Sequence, residues 1–181
     1  MNNLNLPPYR AQRKSKPAKP AIPQYCKDRY EAAHELDFKT QYPDAYKSGH
    51  YFKTKIPDVR TANGLTQAIV KFILWNGYRA TRISSSGRIV KSAERQASGT
   101  VLQTAKYIPG GTRRGAADVS STIKGRSIMF EVKIGDDKPS EYQLREKELE
   151  ENAGGLYFFV KTFEEFLNIY DEQISKAHCS A

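Results

Sequence analysis

Between Gly115 and Lys133 the chain reads Gly-Ala-Ala-Asp-Val-Ser-Ser-Thr-Ile-Lys-Gly-Arg-Ser-Ile-Met-Phe-Glu-Val-Lys, with polar and apolar residues alternating on both sides of Lys124-Gly125. Period-two alternation marks strands with one buried face, and a glycine at the fold point can take the positive φ that a tight hairpin turn requires. The register follows by arithmetic. Whether the loop holds two residues (Lys124, Gly125) or four (Ile123 to Arg126), paired residue numbers sum to 249, and Asp118 falls opposite Glu131. Opposed side chains share a face with Cβ atoms roughly 5 Å apart, so two carboxylates there repel by about 3 kcal/mol at an effective dielectric of about 20. A divalent cation would offset that repulsion. Lys133, two residues beyond Glu131, points to the same face and makes the group a candidate metal site.

Elements on either side of the hairpin can be read from periodicity and caps. Leu65, Ile69, Phe72 and Ile73 recur at helical spacing, predicting a helix from Gly64 to Trp75 capped by Asn63 and ended by Asn76-Gly77. Tyr78 to Ser84 reads as a strand. After the hairpin, Ser140 and Gln143 form a capping-box pattern for a helix running to Asn152 and stopped by Gly154-Gly155. Leu156 to Val160 is a buried strand, and Thr162 with Glu165 repeats the capping box for a last helix reaching His178. Helix, strand, hairpin pair, helix, strand and helix in that order predict an α/β fold, a sheet flanked by helices.

Charge narrows the class of partner. Lys and Arg outnumber Asp and Glu by 29 to 20, a net +9 that favours an acidic polymer such as nucleic acid, although a merely basic protein has the same balance. Cys26 and Cys179 lie far apart without CxxC spacing, which suggests neither a disulfide framework nor a zinc motif. A reducing, cytoplasmic setting is expected. The apolar run around Ile73 to Trp75 is far too short to span a membrane, and no apolar signal region follows the N-terminus.

Two further regions are basic. Residues 1–57 read as a partly ordered extension to a domain at 58–181: up to about residue 24 they carry Arg10, Arg13, Lys14, Lys16, Lys19 and five prolines without an acid. Lysines and tyrosines then interleave around a short helix over Lys27 to Leu36. Those tyrosines either dock the extension on the core or stack nucleic-acid bases. His34 and His50 lack partners at ligand spacing and read as surface histidines. The second region, Gly87 to Arg114, carries Arg88, Lys91, Arg95, Lys106, Arg113 and Arg114 against Glu94 alone. It reads as a long loop, either one that grips phosphates beside the metal site or one that is simply solvated.

At the site itself, Asp118 and Glu131 offer two hard oxygen ligands and the Val132 carbonyl a third, a sparse set suited to magnesium, which keeps waters for itself and a phosphate. A bound cation activates water and neutralises developing phosphorane charge, while Lys133 orients the attacking water. Against this stands an ordinary cross-strand ion pair on an exposed sheet face. Gln143 either reaches back toward Lys133 or only completes the cap. No acid occurs between Asp58 and Glu94, so the first helix offers Gln67 in place of a carboxylate.

The sequence Gly115-Ala-Ala-Asp118, then Phe130-Glu131-Val132-Lys133, Ser140-x-x-Gln143 and Gly154-Gly155-Leu-Tyr-Phe resembles the PD-(D/E)XK nuclease superfamily, within it the VRR-NUC and phage-type or Holliday-junction-resolvase-like members. The likeness covers Gly64 to Phe166. It implies a restriction-endonuclease-like α-β-β-β-α-β core with a mixed central sheet, and magnesium-dependent (manganese substituting) endonuclease hydrolysis of DNA, structure-selective in some members. By matched position, Asp118 and Glu131 would hold the metal, Lys133 would serve the water and Gln143 would support the site. Ala117 replaces the motif's proline, and the first helix lacks the glutamate many members carry. The alternative is a non-catalytic nucleic-acid-binding protein with the same fold. Symmetric junction cutting would call for a homodimer.

Overall fold

The computed structural model describes residues 21–83, 88–95, 101–108 and 113–179. Helix α1 (Gln24–Gln41) and the short α2 (Pro43–Lys47) come first, then α3 (Ala62–Trp75) and strand β1 (Arg79–Arg82). Strands β2 (Arg88–Arg95) and β3 (Val101–Ile108) follow, then β4 (Val119–Ile123), β5 (Arg126–Val132), α4 (Glu141–Asn152), β6 (Leu156–Val160) and α5 (Phe163–Cys179). Four strands form a mixed sheet in the order β1-β4-β5-β6. The first two junctions are antiparallel, and β5 with β6 is parallel across the α4 crossover.

The hairpin at the centre of this sheet turns in two residues. Ile123 pairs with Arg126, and Lys124 (φ 50) and Gly125 (φ 78) both sit at positive φ, the conformation whose twist matches the flanking strands. All five Cα pairs, from Val119 with Phe130 to Ile123 with Arg126, sum to 249.

Alternation along β5 then divides the molecule. Ile128, Phe130 and Val132 face a dry core shared with Leu65, Ile69, Phe72 and Ile73 of α3 and with Phe163, Phe166 and Leu167 of α5. Phe72 is its hub, its ring lying edge-on to Phe163, Phe166 and Tyr170 at 5.8, 5.7 and 5.2 Å. Ser127, Met129 and Glu131 face the side on which α4 lies, with Ser127 and Met129 half-buried and Glu131 buried. Helix α4 has no buried residue of its own, and a hydrogen bond from Ser127 Oγ to Glu150 helps hold it down.

The N-terminal helix belongs to the same core. Cys26, Tyr30 and Ala33 of α1 lie in that cluster, and Tyr30 meets Trp75 edge-on at 4.9 Å. A two-pronged Arg29–Asp171 contact at 2.5 and 2.8 Å ties α1 to α5. Among the tyrosines weighed between docking and stacking, Tyr30 is docked, Tyr46 and Tyr51 are half-buried, and Tyr25 and Tyr42 are exposed. His34 is no isolated surface histidine, since its ring packs 4.7 Å from Trp75 and 5.6 Å from Tyr51.

Two other expectations are corrected. Thr61, not Asn63, caps α3: its hydroxyl accepts the Gly64 amide at 3.1 Å, while Asn63 accepts a hydrogen bond from Arg82 of β1. The stretch expected as a loop after Gly87 contains an antiparallel ribbon. Strands β2 and β3 pair over eight positions, Arg88 with Ile108 through Arg95 with Val101, as a separate two-stranded sheet. What the sequence offers is Ser98-Gly99 as a turn signal, with Ile89-Val90 before it and Val101, Thr104, Tyr107 and Ile108 after it among mostly polar and charged residues. Among the described residues no helix is long and apolar enough to cross a membrane.

Candidate metal-dependent active site

Asp118 lies at the last position before β4, and continuing the 249 register sets it beside Glu131. Its main-chain carbonyl accepts the Ile83 amide at 2.8 Å, and its Oδ2 accepts the Val132 amide at 3.0 Å. The carboxylate is thereby fixed against the end of β5. Val132, whose carbonyl is offered as a third oxygen, is joined to Asp118 through this N–H.

Glu131 and Lys133 are each only 5 % exposed, so the ion pair is buried and not the exposed cross-strand pair weighed against it. Lys133 Nζ lies 3.3 Å from Glu131 Oε1 and 2.8 Å from Gln143 Oε1, with Asp137 Oδ2 at 3.5 Å. Gln143 Nε2 donates to the same Glu131 Oε1. The other oxygen, Glu131 Oε2, is buried and has no hydrogen-bond partner among the described residues. Burial, and after it the neighbouring Asp118 charge, push the Glu131 carboxyl up to about 7, against the opposing pull of Lys133.

Gln143 does both things asked of it. Its Oε1 accepts the Ser140 amide at 2.9 Å, completing the capping box, as well as the Lys133 ammonium. One side chain therefore starts α4 and spans Glu131 and Lys133. The approach to Asp118 is locked to the same helix. Gly115 sits at φ 86 with its Cα against the Tyr142 carbonyl, where any Cβ would overlap main chain. Buried Tyr157 donates to the Gly115 carbonyl at 3.4 Å.

The six expected phosphate-binding cations are not equivalent. Arg88 and Arg95 stand at the ends of β2, Lys91 within it and Lys106 on β3. Arg113 Nη2 instead donates to both carboxylate oxygens of Glu146 on α4, at 2.6 and 2.8 Å, and Arg114 lies over the Tyr142 ring at 5.7 Å. Both arginines thus help clamp the turn segment leading to Asp118. Gln67 is exposed on α3. Asp137 and Tyr157 are site neighbours that sequence reasoning misses. Asp137 lies just past the turn after β5, where spacing from Lys133 gives no signal, and Tyr157 becomes visible only through β6 pairing, opposite Met129. Among the described residues no group of three His, Cys, Asp or Glu side chains forms a ready-made metal site. No family model and no curated protein matches this chain.

Proposed function

We propose that the chain is a metal-dependent nuclease of the PD-(D/E)XK type that hydrolyses phosphodiester bonds in DNA, with magnesium as its ion and manganese as a substitute. One observation carries the reading: Glu131 Oε2 is buried next to the Asp118 carboxylate without a partner among the described residues. A buried oxygen of that kind costs about 1–3 kcal/mol, and more when charged. Asp118, Glu131 and Asp137 together outweigh the single ammonium of Lys133, so the group as a whole attracts cations. Two carboxylates with a main-chain carbonyl at Val132 fit a hard ion that keeps several waters and takes phosphate oxygens. When bound, such an ion supplies an activated water and charge neutralisation at phosphorus.

The remaining chemistry belongs to the chain. The Val132 amide orients the Asp118 carboxylate, and Gln143 holds Glu131 and Lys133 at fixed separation. Buried beside them, the Lys133 ammonium is placed to donate to the attacking water and to charge developing on phosphate oxygens, where low polarity strengthens it. With the ribbon set aside, the order α3-β1-β4-β5-α4-β6 supports the superfamily reading, since it runs helix, three strands, helix, strand.

The test is cleavage of duplex, flap and four-way-junction DNA with magnesium, with manganese and with EDTA. Asp118→Ala and Lys133→Ala are each expected to lower metal-dependent cleavage by about a hundredfold or more, with DNA binding in EDTA retained. Cleavage that survives Asp118→Ala would sink the assignment. Binding without cleavage by the wild type would leave a nucleic-acid-binding protein.

A further inference from the structure

The ribbon β2–β3 is explained neither by the core nor by the site. A lone two-stranded hairpin is marginally stable in water, and proteins ordinarily give such a ribbon something to pack on. Here its described side chains, Val90 to Ala93 and Gln103 to Lys106, are all exposed. The pairing puts Lys91, Ala93, Gln103 and Ala105 on one face and Val90, Ser92, Thr104 and Lys106 on the other, and a 2.7 Å Ser92–Thr104 hydroxyl contact agrees with that register. Neither Lys91 nor Lys106 has an ion-pair partner among the described residues.

The ribbon is inserted in the chain at the site. The Ile83 amide bonds to the Asp118 carbonyl at 2.8 Å. Ile83 precedes the start of β2 at Arg88 by five residues (88 − 83), and Asp118 follows the end of β3 at Ile108 by ten (118 − 108). In sequence, the ribbon is therefore inserted between two residues, Ile83 and Asp118, that bond to each other at the site.

We infer that the β2–β3 ribbon is a duplex-DNA-binding element that lies in a groove and presents the backbone near its root to the Asp118–Glu131 site. Where the DNA is cut rests on the nuclease reading, but binding by the ribbon does not. Eight residues per strand span roughly 27 Å, and a major groove about 12 Å wide admits a two-stranded ribbon. Cations on both faces suit a ligand with phosphates on two sides, as the two walls of a groove provide. Single strands are gripped chiefly by successive aromatic platforms, and the sequence of the two strands contains a single aromatic residue, Tyr107. Ser92, Thr104 and Gln103 supply the small polar groups that hydrogen-bond to phosphates or base edges.

The experiment measures anisotropy of a labelled duplex of about 30 base pairs, and of one of its strands alone, over a salt series in EDTA. The proteins compared are the wild type, Lys91→Ala/Lys106→Ala and Lys91→Arg/Lys106→Arg. For the alanine pair the duplex affinity should fall and the log–log salt slope should flatten by up to about 1.8, two lost phosphate contacts at about 0.9 each. Single-strand binding should change much less, and the arginine pair should keep the wild-type slope. No duplex binding by the wild type, an unchanged slope in the alanine pair, or an equal loss on single strands would each overturn the proposal. The two readings fail separately. Asp118-dependent cleavage with an unaltered alanine-pair slope removes the ribbon and keeps the nuclease, whereas a flattened slope with no cleavage does the reverse.

Discussion

The molecule contains two antiparallel hairpins that differ in almost everything but their pairing. In β4–β5 one face lies in the aromatic core, and the other, half-buried and open at Thr122, carries the buried ion pair of Glu131 and Lys133 at its end under α4. In β2–β3 the described side chains of both faces meet solvent. Charges in the first are few, desolvated and individually strong; those in the second are screened within about 10 Å at moderate salt. On the proposed readings, the covered hairpin is the one suited to chemistry at one atom and the bare one to binding a long partner.

The largest expected effect separates the hairpins by stability. Phe130 is fully buried, 5.3 Å from the Phe166 ring and 6.0 Å from Phe158. Phe130→Ala should cost about 3–5 kcal/mol in denaturant unfolding, and Val90→Ala, on the ribbon, no more than about 0.5 kcal/mol. A cost above that for Val90→Ala would mean that the ribbon is packed and that the contrast fails.

The next effect is a pH dependence that only the covered hairpin should have. Glu131 is raised from 4.5 to about 7, so between those values the folded chain keeps a proton that the unfolded chain has lost. The associated stability is complete below pH 4.5 and is lost as pH rises through about 7. Its ceiling is about 3 kcal/mol, because each pH interval of one between the two values contributes about 1.36 kcal/mol. Unfolding of the metal-free protein followed from pH 5 to 8 should show this decline, and Glu131→Gln should flatten it. Magnesium, binding the ionised form, should raise the melting temperature more at pH 8 than at pH 6. An equal rise at both would argue against a cation at Glu131.

The same contrast explains what is legible in the sequence. The register of β4–β5 can be read because Lys124-Gly125 fixes the turn and alternation fixes the faces, and Ser140 with Gln143 announces α4 to the residue. The ribbon is hidden because alternation by polarity needs a buried face, and without one β2 and β3 show a mixture that resembles a basic loop. Helix α1 is underestimated for a related reason: Cys26, Tyr30 and Ala33 form a narrow stripe among charged residues. At the site, Asp118, Glu131 and Lys133 come from spacing, whereas Tyr157 needs the β5–β6 pairing, which no local pattern encodes. The Arg113–Glu146 contact, across thirty-three positions, is equally nonlocal.

The smallest effect concerns how α4 couples to the covered hairpin. Gln143 Oε1 accepts from both the Ser140 amide and Lys133, so removing its side chain should loosen the helix start and the site together. Gln143→Ala should cost about 1–2 kcal/mol, the sum of a weakened cap and a lost charged hydrogen bond. Ser140→Ala removes the reciprocal half of the cap and should cost about 1 kcal/mol, but it leaves the Gln143 contacts to Lys133 and Glu131 in place. Stability alone barely separates the variants. Cleavage should: Ser140→Ala keeps the pH–rate profile of the wild type, while Gln143→Ala lowers kcat and moves the profile, because Glu131 and Lys133 lose the group that sets their separation. If both variants shift the profile alike, Gln143 acts only as a cap, and the link between α4 and the site lies elsewhere, with the Gly115–Tyr142 contact the first place to look.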